Sequence, residues 1–234
     1  MRVRNPNIQR IIESHVREWF LRREEGPEVR KPPILISRQR GAGAHEVAER
    51  LSRRLGWPYY GKNIIYEVAR ALKADPRQAE FLDERSRSIL LEYANVFVKD
   101  PQTFQEDYIL YLKRFLKKLG HVGSCVIVGR GANFVIPATE ALRVRLVGRP
   151  EGWKEAVLKR YGLPERDLEK VLEEWDREQR DFIKRYFGAD VADPRNYDIT
   201  INLDHYNWDR ATELILEAYR RKFPGVSIVG SSRR

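Results

Sequence analysis

Short apolar runs alternate along this chain with longer segments in which apolar residues recur every three or four positions. Five runs are typical of buried strands: residues 34–37, 57–60, 125–129, 144–148 and 199–203. Helical spacing is clearest just after the first run, at Val47, Ala48, Leu51 and Leu55. Strands that alternate with helices form parallel sheets covered on both faces. We therefore predict a three-layer α/β domain with a parallel sheet of about five strands.

Three further segments complete the predicted organisation. Residues 5–25 have the pattern of an amphipathic helix, which could pack on its own core or form a homodimer with a second copy. Residues 1–32 are thus assigned to a helix and linker, and 33–234 to the main domain. Within that domain, two stretches exceed what a simple strand connection needs, at 63–121 and 164–197. Both are predicted to be helical insertions.

Composition narrows the function classes. Apolar residues make up 42% and charged residues 33% of the 234 positions, as in soluble globular proteins. No apolar run approaches the ~20 residues that cross a bilayer, and the N-terminus lacks a signal-peptide core. We expect a cytoplasmic protein with no membrane contact.

The charge balance favours an anionic partner. The chain has 44 Lys and Arg against 34 Asp and Glu, a formal net charge of +10. Nucleotide phosphates, nucleic acids and membrane surfaces would all satisfy this excess, and charge alone does not choose among them. Because no nucleic-acid recognition motif is found, a basic nucleic-acid-binding protein is kept only as an alternative hypothesis.

Cysteine and histidine give no sign of a metal site. The single cysteine, Cys125, lies in an apolar run and is predicted to be a small buried side chain. The four histidines, at 15, 45, 121 and 205, lack the spacing of metal ligands. We predict no protein-held metal ion.

The first strand leads into a glycine-containing turn and a helix, in the sequence PPILISRQRGAGAHEVAERL (32–51). This layout is that of a phosphate-binding loop with the pattern G-x-x-x-x-G-K-[ST]. With Gly43 as the second glycine, Arg38 takes the first glycine position, Ala44 the lysine position and His45 the hydroxyl position. The lysine that holds phosphate and the hydroxyl that ligates Mg²⁺ are therefore both absent.

Several features of an anion site nevertheless remain. Gly41 and Gly43 allow close backbone approach, and the N–H groups of residues 43–46 begin a helix, where anions bind favourably. Arg38 and Arg40 could restore the missing positive charge. On this motif alone, a simple tight turn before a helix explains the glycines equally well.

Three longer segments occur in order and together resemble the cytidylate kinase-like family of P-loop nucleoside monophosphate kinases. They are ISRQRGAGAHEVAERLSRRLGWPYYGKNIIYEVA, CVIVGRGANFVI and WDREQRDFIKRYFGADVADPRNYDITINL. In that family the loop commonly reads SRQ-x-G-S-G-G, so the absent lysine looks like a family trait. The resemblance implies a P-loop kinase fold, ATP with Mg²⁺ as phosphoryl donor, and a nucleoside monophosphate acceptor, by default CMP-like.

The resemblance also implies roles for individual residues. The phosphate-binding loop would comprise Gly41, Ala42, Gly43, Ala44, His45 and Glu46. Arg130 would hold the acceptor phosphate, and Arg177 and Arg180 of the 164–197 lid would join Arg38 and Arg40 in catalysis. The 63–121 insertion would bind the acceptor through Asp83 and Arg87. Relatives often have an aspartate where this chain has Gly61, which leaves Lys62 as the candidate there.

Two interpretations stay open at this level. The chain could transfer a phosphoryl group, or it could be a nucleotide-binding regulatory protein that has kept the fold but lost catalysis. Asp190, Asp193 and Asp198, which follow the lid helix, could hold metal-bound water, although loop aspartates more often form turns.

Overall fold

A computed structural model describes residues 31–61, 101–149, 152–162 and 164–228. The predicted N-terminal helix and most of the 63–121 insertion lie outside these ranges. In chain order, the strands are β1 (Ile34–Arg38), β2 (Tyr59–Tyr60), β3 (Val126–Val128), β4 (Leu142–Val147) and β5 (Ile199–Asn202). The α-helices are α1 (Ala44–Leu55), α2 (Pro101–Val122), α3 (Trp153–Tyr161), α4 (Leu168–Phe187) and α5 (Trp208–Lys222). Short 3₁₀ turns cover Ala132–Phe134, Ala138–Glu140, Glu165–Asp167 and Pro194–Asn196.

The five strands form one parallel sheet in the order β2-β3-β1-β4-β5. The predicted α/β fold class and strand count are confirmed. Strand β1 lies at the centre, with Ile34 opposite both Val126 and Leu142. The loop that follows β1 therefore begins in the middle of the sheet's carboxyl edge, where open α/β sheets bind ligands.

One face of the sheet carries the main hydrophobic core. Ile34 and Ile36 of β1, with Val144 of β4, point to this face and are almost fully buried. Helices α1 and α5 cover it through their own apolar stripes, which include Leu51 and Ile215. This packing sets the direction in which α1 leaves the loop.

The opposite face is polar towards its carboxyl edge. Because side chains alternate along a strand, Ser37 and Arg145 lie on the face away from the main core. Helix α4 packs its buried positions in this region, and its first half forms a smaller apolar cluster with α3 through Val157, Leu172 and Trp175. A predicted lid segment thus contributes to the fold itself.

The chain forms two compact units. One consists of residues 1–30 and 62–118, of which the structure describes only part of helix α2. The other consists of residues 31–61 and 119–234 and contains the whole sheet. Among the described helices, none combines the length and the apolar composition that a membrane span requires.

Candidate phosphate-binding site

The turn after β1 adopts the backbone of an anion cradle. Gly43 is the N-cap of α1 and has left-handed dihedral angles (φ 73°, ψ 35°), and Gly41 also has a positive φ of 88°. No side chain caps the N-terminus of α1. The first N–H groups of a helix have no partner inside the helix, so this end can accept an anion.

The indole of Trp208 closes one side of the cradle. A Cβ atom at position 43 would lie only 2.6 Å from Trp208 Cε2, so glycine is required there for space as well as for φ. Trp208 begins helix α5 and lines the same cleft as residues 38–46. Its Nε1–H is buried and has no hydrogen-bond partner among the described residues. The guanidinium of Arg50 lies 5.5 Å from the indole ring centre.

The substituted loop positions have defined surroundings. Ala44 is buried at the first position of α1. The ring of His45 is hydrogen-bonded through Nδ1 to the hydroxyl of Tyr59 in β2. The imidazole at the hydroxyl position of the loop is therefore engaged with a neighbouring strand. Glu46, in the first turn, places negative charge at the positive end of the helix dipole.

Both loop arginines are buried against helix α4. Arg38 is 9% and Arg40 is 6% exposed. The Gln179 amide satisfies both of its groups when its nitrogen donates to the Arg38 carbonyl (3.0 Å) and its oxygen accepts from Arg38 Nη1 (3.1 Å). The N–H of Arg40 donates to Asp176 Oδ1 at 2.9 Å, and its guanidinium carbon lies 5.7 Å from the Trp175 ring centre.

Strand β4 adds a third, partly buried arginine to this cluster. Arg145 donates from Nη1 to Ser37 Oγ (2.8 Å) and lies over the ring of Tyr197. The Tyr197 hydroxyl donates to the carbonyl of Val191 (2.8 Å), which orders the chain after α4. Burial lowers the pKa of the Arg145 guanidinium, although the nearby Tyr197 and Asp176 oppose that change.

Asp176 is the acidic member of the cluster. Burial raises the pKa of its carboxyl group, while the hydrogen bond from the Arg40 N–H and the charges of Arg40, Arg145 and Arg38 act to lower it. Three arginines thus surround one carboxylate at the carboxyl edge of the sheet. Such a group of guanidinium side chains suits a cleft that receives phosphate.

Arg130 follows β3 in an uncommon conformation. It has a φ of +59° and stands between Gly129 (φ 74°) and Gly131 (φ 68°). A Cβ at 131 would lie 2.5 Å from the Phe187 ring at the end of α4, so this turn is tightly packed. The Arg130 side chain is buried. A buried arginine held in a strained backbone indicates a role beyond surface solubility.

The predicted lid arginines lie on a different stripe of α4. The buried positions of this helix include Leu172, Gln179 and Ile183. Arg177 and Arg180 are exposed, and Arg177 Nη2 lies 3.9 Å from Glu174. Their catalytic role stays a prediction. Lys62, Asp83 and Arg87 lie outside the described residues.

The aspartates after α4 make local contacts. Asp190 accepts from the N–H of Ala192 (2.8 Å), and Asp193 caps the next 3₁₀ turn by accepting from the N–H of Arg195 (2.9 Å). Asp198 accepts from Lys222 Nζ (2.5 Å) and from the N–H of Arg143 (2.7 Å). Turn formation therefore explains Asp190 and Asp193. Within the described ranges, no three Asp, Glu, His or Cys side chains gather as a metal site would require.

Sequence reasoning missed several members of the site. They are Ser37, Arg145, Asp176, Gln179, Tyr197 and Trp208. One signal was available, because the β4 sequence LRVRLV alternates apolar and charged residues where a fully buried parallel strand would be apolar throughout. The contacts of Asp176 and Gln179 connect positions more than 130 residues apart, so local spacing could not reveal them.

A parallel sheet in this order, with a glycine loop and an uncapped helix after its central strand, defines a P-loop kinase fold. Residues 33–205 match the model of the cytidylate kinase-like family, and the chain belongs to that family. It is 29% identical over 193 residues to a cytidylate kinase of Aeropyrum pernix, with 80% of this chain and 99% of that protein covered.

Solved structures resemble the fold at lower identity. An uncharacterized protein from Eubacterium ventriosum superposes with a TM-score of 0.59 at 23% identity, covering 81% of this chain and 98% of the other. Shikimate kinase from Acinetobacter baumannii gives a TM-score of 0.45 at 20% identity, covering 82% and 95%. The family resemblance inferred from the loop, Arg130 and lid segments is confirmed by the family match.

Proposed function

We propose that this protein transfers the γ-phosphoryl group of ATP to a small phosphorylated acceptor, with a CMP-like nucleoside monophosphate as the first candidate. The observation that carries this proposal is the uncapped, left-handed glycine turn at the N-terminus of α1, next to buried Arg38 and Arg40 and partly buried Arg145. An anionic ligand suits this place, because the N–H groups of α1 and the guanidinium groups would both attract its phosphates. Family membership supports a nucleotide as the anion.

In this chemistry an acceptor phosphate oxygen attacks the γ-phosphorus, and the bond to the β,γ-bridging oxygen breaks to release ADP. Catalysis consists mainly of positioning and charge stabilisation, so no covalent nucleophile is needed. The α1 N–H groups would orient the donor phosphates, and the loop arginines would supply the charge that a lysine at position 44 supplies elsewhere. Mg²⁺ would stabilise the donor phosphates, held mainly by those phosphates and water. The uncapped cradle fits the phosphate part of this group, whereas His45 is engaged with Tyr59 and offers no hydroxyl.

Turnover tests the activity directly. Purified protein is incubated with MgATP and separate acceptors (CMP, dCMP, UMP, AMP, GMP and non-nucleotide phosphates), and products are resolved by chromatography. We expect ADP formation that depends on one acceptor class. ADP formation without acceptor dependence would contradict the proposal.

Variants of Arg130 distinguish acceptor binding from ATP binding. If its guanidinium grips the acceptor phosphate, Arg130→Ala should weaken acceptor binding by about 1.5–3 kcal/mol, the range for charged hydrogen bonds, and leave ATP binding nearly unchanged. Arg130→Lys keeps the charge and is the matched variant. Calorimetry with each substrate measures the difference, and equal losses for both ligands would identify Arg130 as a structural residue.

A regulatory nucleotide-binding protein is the second candidate, favoured by Ala44 and by the engagement of His45 with Tyr59. Restoring the ordinary loop with Ala44→Lys and His45→Thr distinguishes the two. In a site rebuilt around arginine, the double variant should gain little, whereas Arg38→Ala or Arg40→Ala should reduce the rate strongly. A large gain of transfer in the double variant, with both arginine variants silent, would favour the regulatory interpretation.

A further inference from the structure

The lid helix contacts the phosphate loop at two points one helical turn apart. Asp176 and Gln179 stand at i and i+3 on the inward stripe of α4. Asp176 accepts the main-chain N–H of Arg40, and Gln179 donates to the main-chain carbonyl of Arg38. Both contacts are therefore to the loop backbone, in addition to the contact between Gln179 and the Arg38 guanidinium.

The other side of the same loop is tied to strand β4. The N–H of Gln39 donates to the carbonyl of Leu146 (2.8 Å), and Gln39 Oε1 accepts from the N–H of Gly148 (3.0 Å). Residues 38–40 are thus held between the sheet and α4, directly before the two left-handed glycines that form the cradle. Because each peptide unit is rigid, restraints at 38 and 40 limit the orientations available to the next peptides.

We propose that Asp176 and Gln179 are positioning residues that keep the phosphate loop in its anion-binding conformation and link that conformation to the lid helix. This inference rests on the proposed function, since it assigns these residues to the same site. Neither needs to touch the nucleotide. The exposed Arg177 and Arg180 lie on the adjacent stripe of α4. Anchoring the helix at 176 and 179 would therefore also fix the positions of their backbone atoms relative to the phosphate loop.

Charge and hydrogen bonding at Asp176 can be separated. Asp176 is faced by Arg38 and Arg40 from the loop and by Arg145 from β4. Asp176→Asn keeps an oxygen that can accept the Arg40 N–H but removes the negative charge, whereas Asp176→Ala removes both. If the hydrogen bond to the Arg40 N–H is the important property, Asp176→Asn should keep the conformation of the phosphate loop. ADP affinity should then be unchanged or improved, because three arginines would face the phosphates without a competing carboxylate.

The test compares Asp176→Ala, Asp176→Asn and Gln179→Leu with Glu173→Ala, an exposed carboxylate on the same helix. Hydrogen exchange of the peptide that contains residues 38–46 is measured in the nucleotide-free protein, and ADP affinity by calorimetry. Asp176→Ala and Gln179→Leu should each raise loop exchange and the ADP dissociation constant about 10-fold or more, as expected for losing a charged or buried hydrogen bond. Asp176→Asn and Glu173→Ala should stay within about threefold of the wild type in exchange.

The exchange measurement does not depend on turnover, so it decides the inference even if no acceptor is phosphorylated. Wild-type loop exchange and ADP affinity in both Asp176→Ala and Gln179→Leu would overturn it. Asp176→Asn as damaging to exchange as Asp176→Ala would also overturn it, since charge and not the hydrogen bond would then be the property required. Where kinase activity is present, Asp176→Ala and Gln179→Leu should raise the KM for ATP. Asp176→Asn should restore a KM near that of the wild type.

Discussion

At the scale of single residues, the site depends on backbone conformations that few side chains can adopt. Gly43 combines a positive φ with direct contact to Trp208, and Arg130 adopts a left-handed φ between two glycines. For residues other than glycine that conformation costs roughly 1 kcal/mol or more. Arg130 carries this cost in the turn after β3, whereas glycine avoids it at position 43 in the turn after β1. The acceptor and donor phosphates are proposed to bind at these two turns.

Gly43→Ala tests the first turn. The new methyl group should destabilise the protein by about 1–3 kcal/mol through the left-handed backbone and the clash with Trp208, and should sharply weaken ADP binding. In a Trp208→Ala background the clash is absent but the strained φ remains. Gly43→Ala should therefore destabilise that variant less than it destabilises the wild type, but not by zero. Denaturant unfolding and calorimetry measure both effects. An alanine at 43 with wild-type stability and ADP affinity would show that the cradle conformation is not required.

At the scale of elements, α4 has two functions in one helix. Its inward stripe packs on α3 and on the phosphate loop, while its outward stripe presents the arginines proposed to act as a lid. The start of β4 and the end of α5 are connected by another set of contacts, in which Asp198 accepts from Lys222 of α5 and from Arg143 of β4. These contacts hold the last turn of α5 against the starts of β4 and β5.

Asp198→Asn tests that connection through pH. Burial alone would raise the pKa of the Asp198 carboxyl, but hydrogen bonds from Lys222 and Arg143 outweigh it and lower the pKa. A lowered folded-state pKa stabilises the protein above the unfolded value of about 3.9, and that stabilisation is lost as pH falls through the folded value. The asparagine variant should lose about 1 kcal/mol at pH 7, a value that allows for partial solvent screening, and less near pH 3.

Denaturant unfolding at both pH values provides the measurement for Asp198. Glu213→Gln is the matched control, because within the described part of the chain the Glu213 carboxylate forms a long, exposed ion pair with Arg54 (3.7 Å). A loss at Asp198 that is the same at pH 3 and pH 7 would show that packing, and not the charge, is responsible.

At the scale of the whole molecule, the net charge of +10 attracts polyanions in general. Binding at a nucleotide site must therefore be distinguished from this general attraction. We expect ADP at 100 times its dissociation constant to raise the free energy of unfolding by about 2.7 kcal/mol, because the ligand binds only the folded protein. Any stabilisation by a single-stranded oligonucleotide should disappear as salt increases, through counterion release. Thermal unfolding across a salt series compares the two ligands, and oligonucleotide stabilisation that persists at high salt would favour the nucleic-acid hypothesis.

By itself the sequence determined the local features of this protein. Apolar runs marked all five strands, helical spacing at Val47, Ala48, Leu51 and Leu55 marked α1, and Gly41 and Gly43 marked the turn. These signals lie within a few residues of one another, and strand and helix periodicity follow from burial of one face. The predictions of fold class and family rested on such patterns together with the order of the motifs, and the observed sheet and the family match confirm them.

Only the tertiary structure decided which charged residues share the site. Asp176 and Gln179 meet Arg40 and Arg38 because α4 packs on the polar face of the sheet, and Arg145 joins them because β4 lies beside β1. Spacing within α4 made Arg177 and Arg180 the conspicuous candidates, yet the helix turns Gln179 towards the loop and leaves both arginines exposed. Periodicity defines a stripe on a helix, whereas the packing partners decide which stripe faces the site.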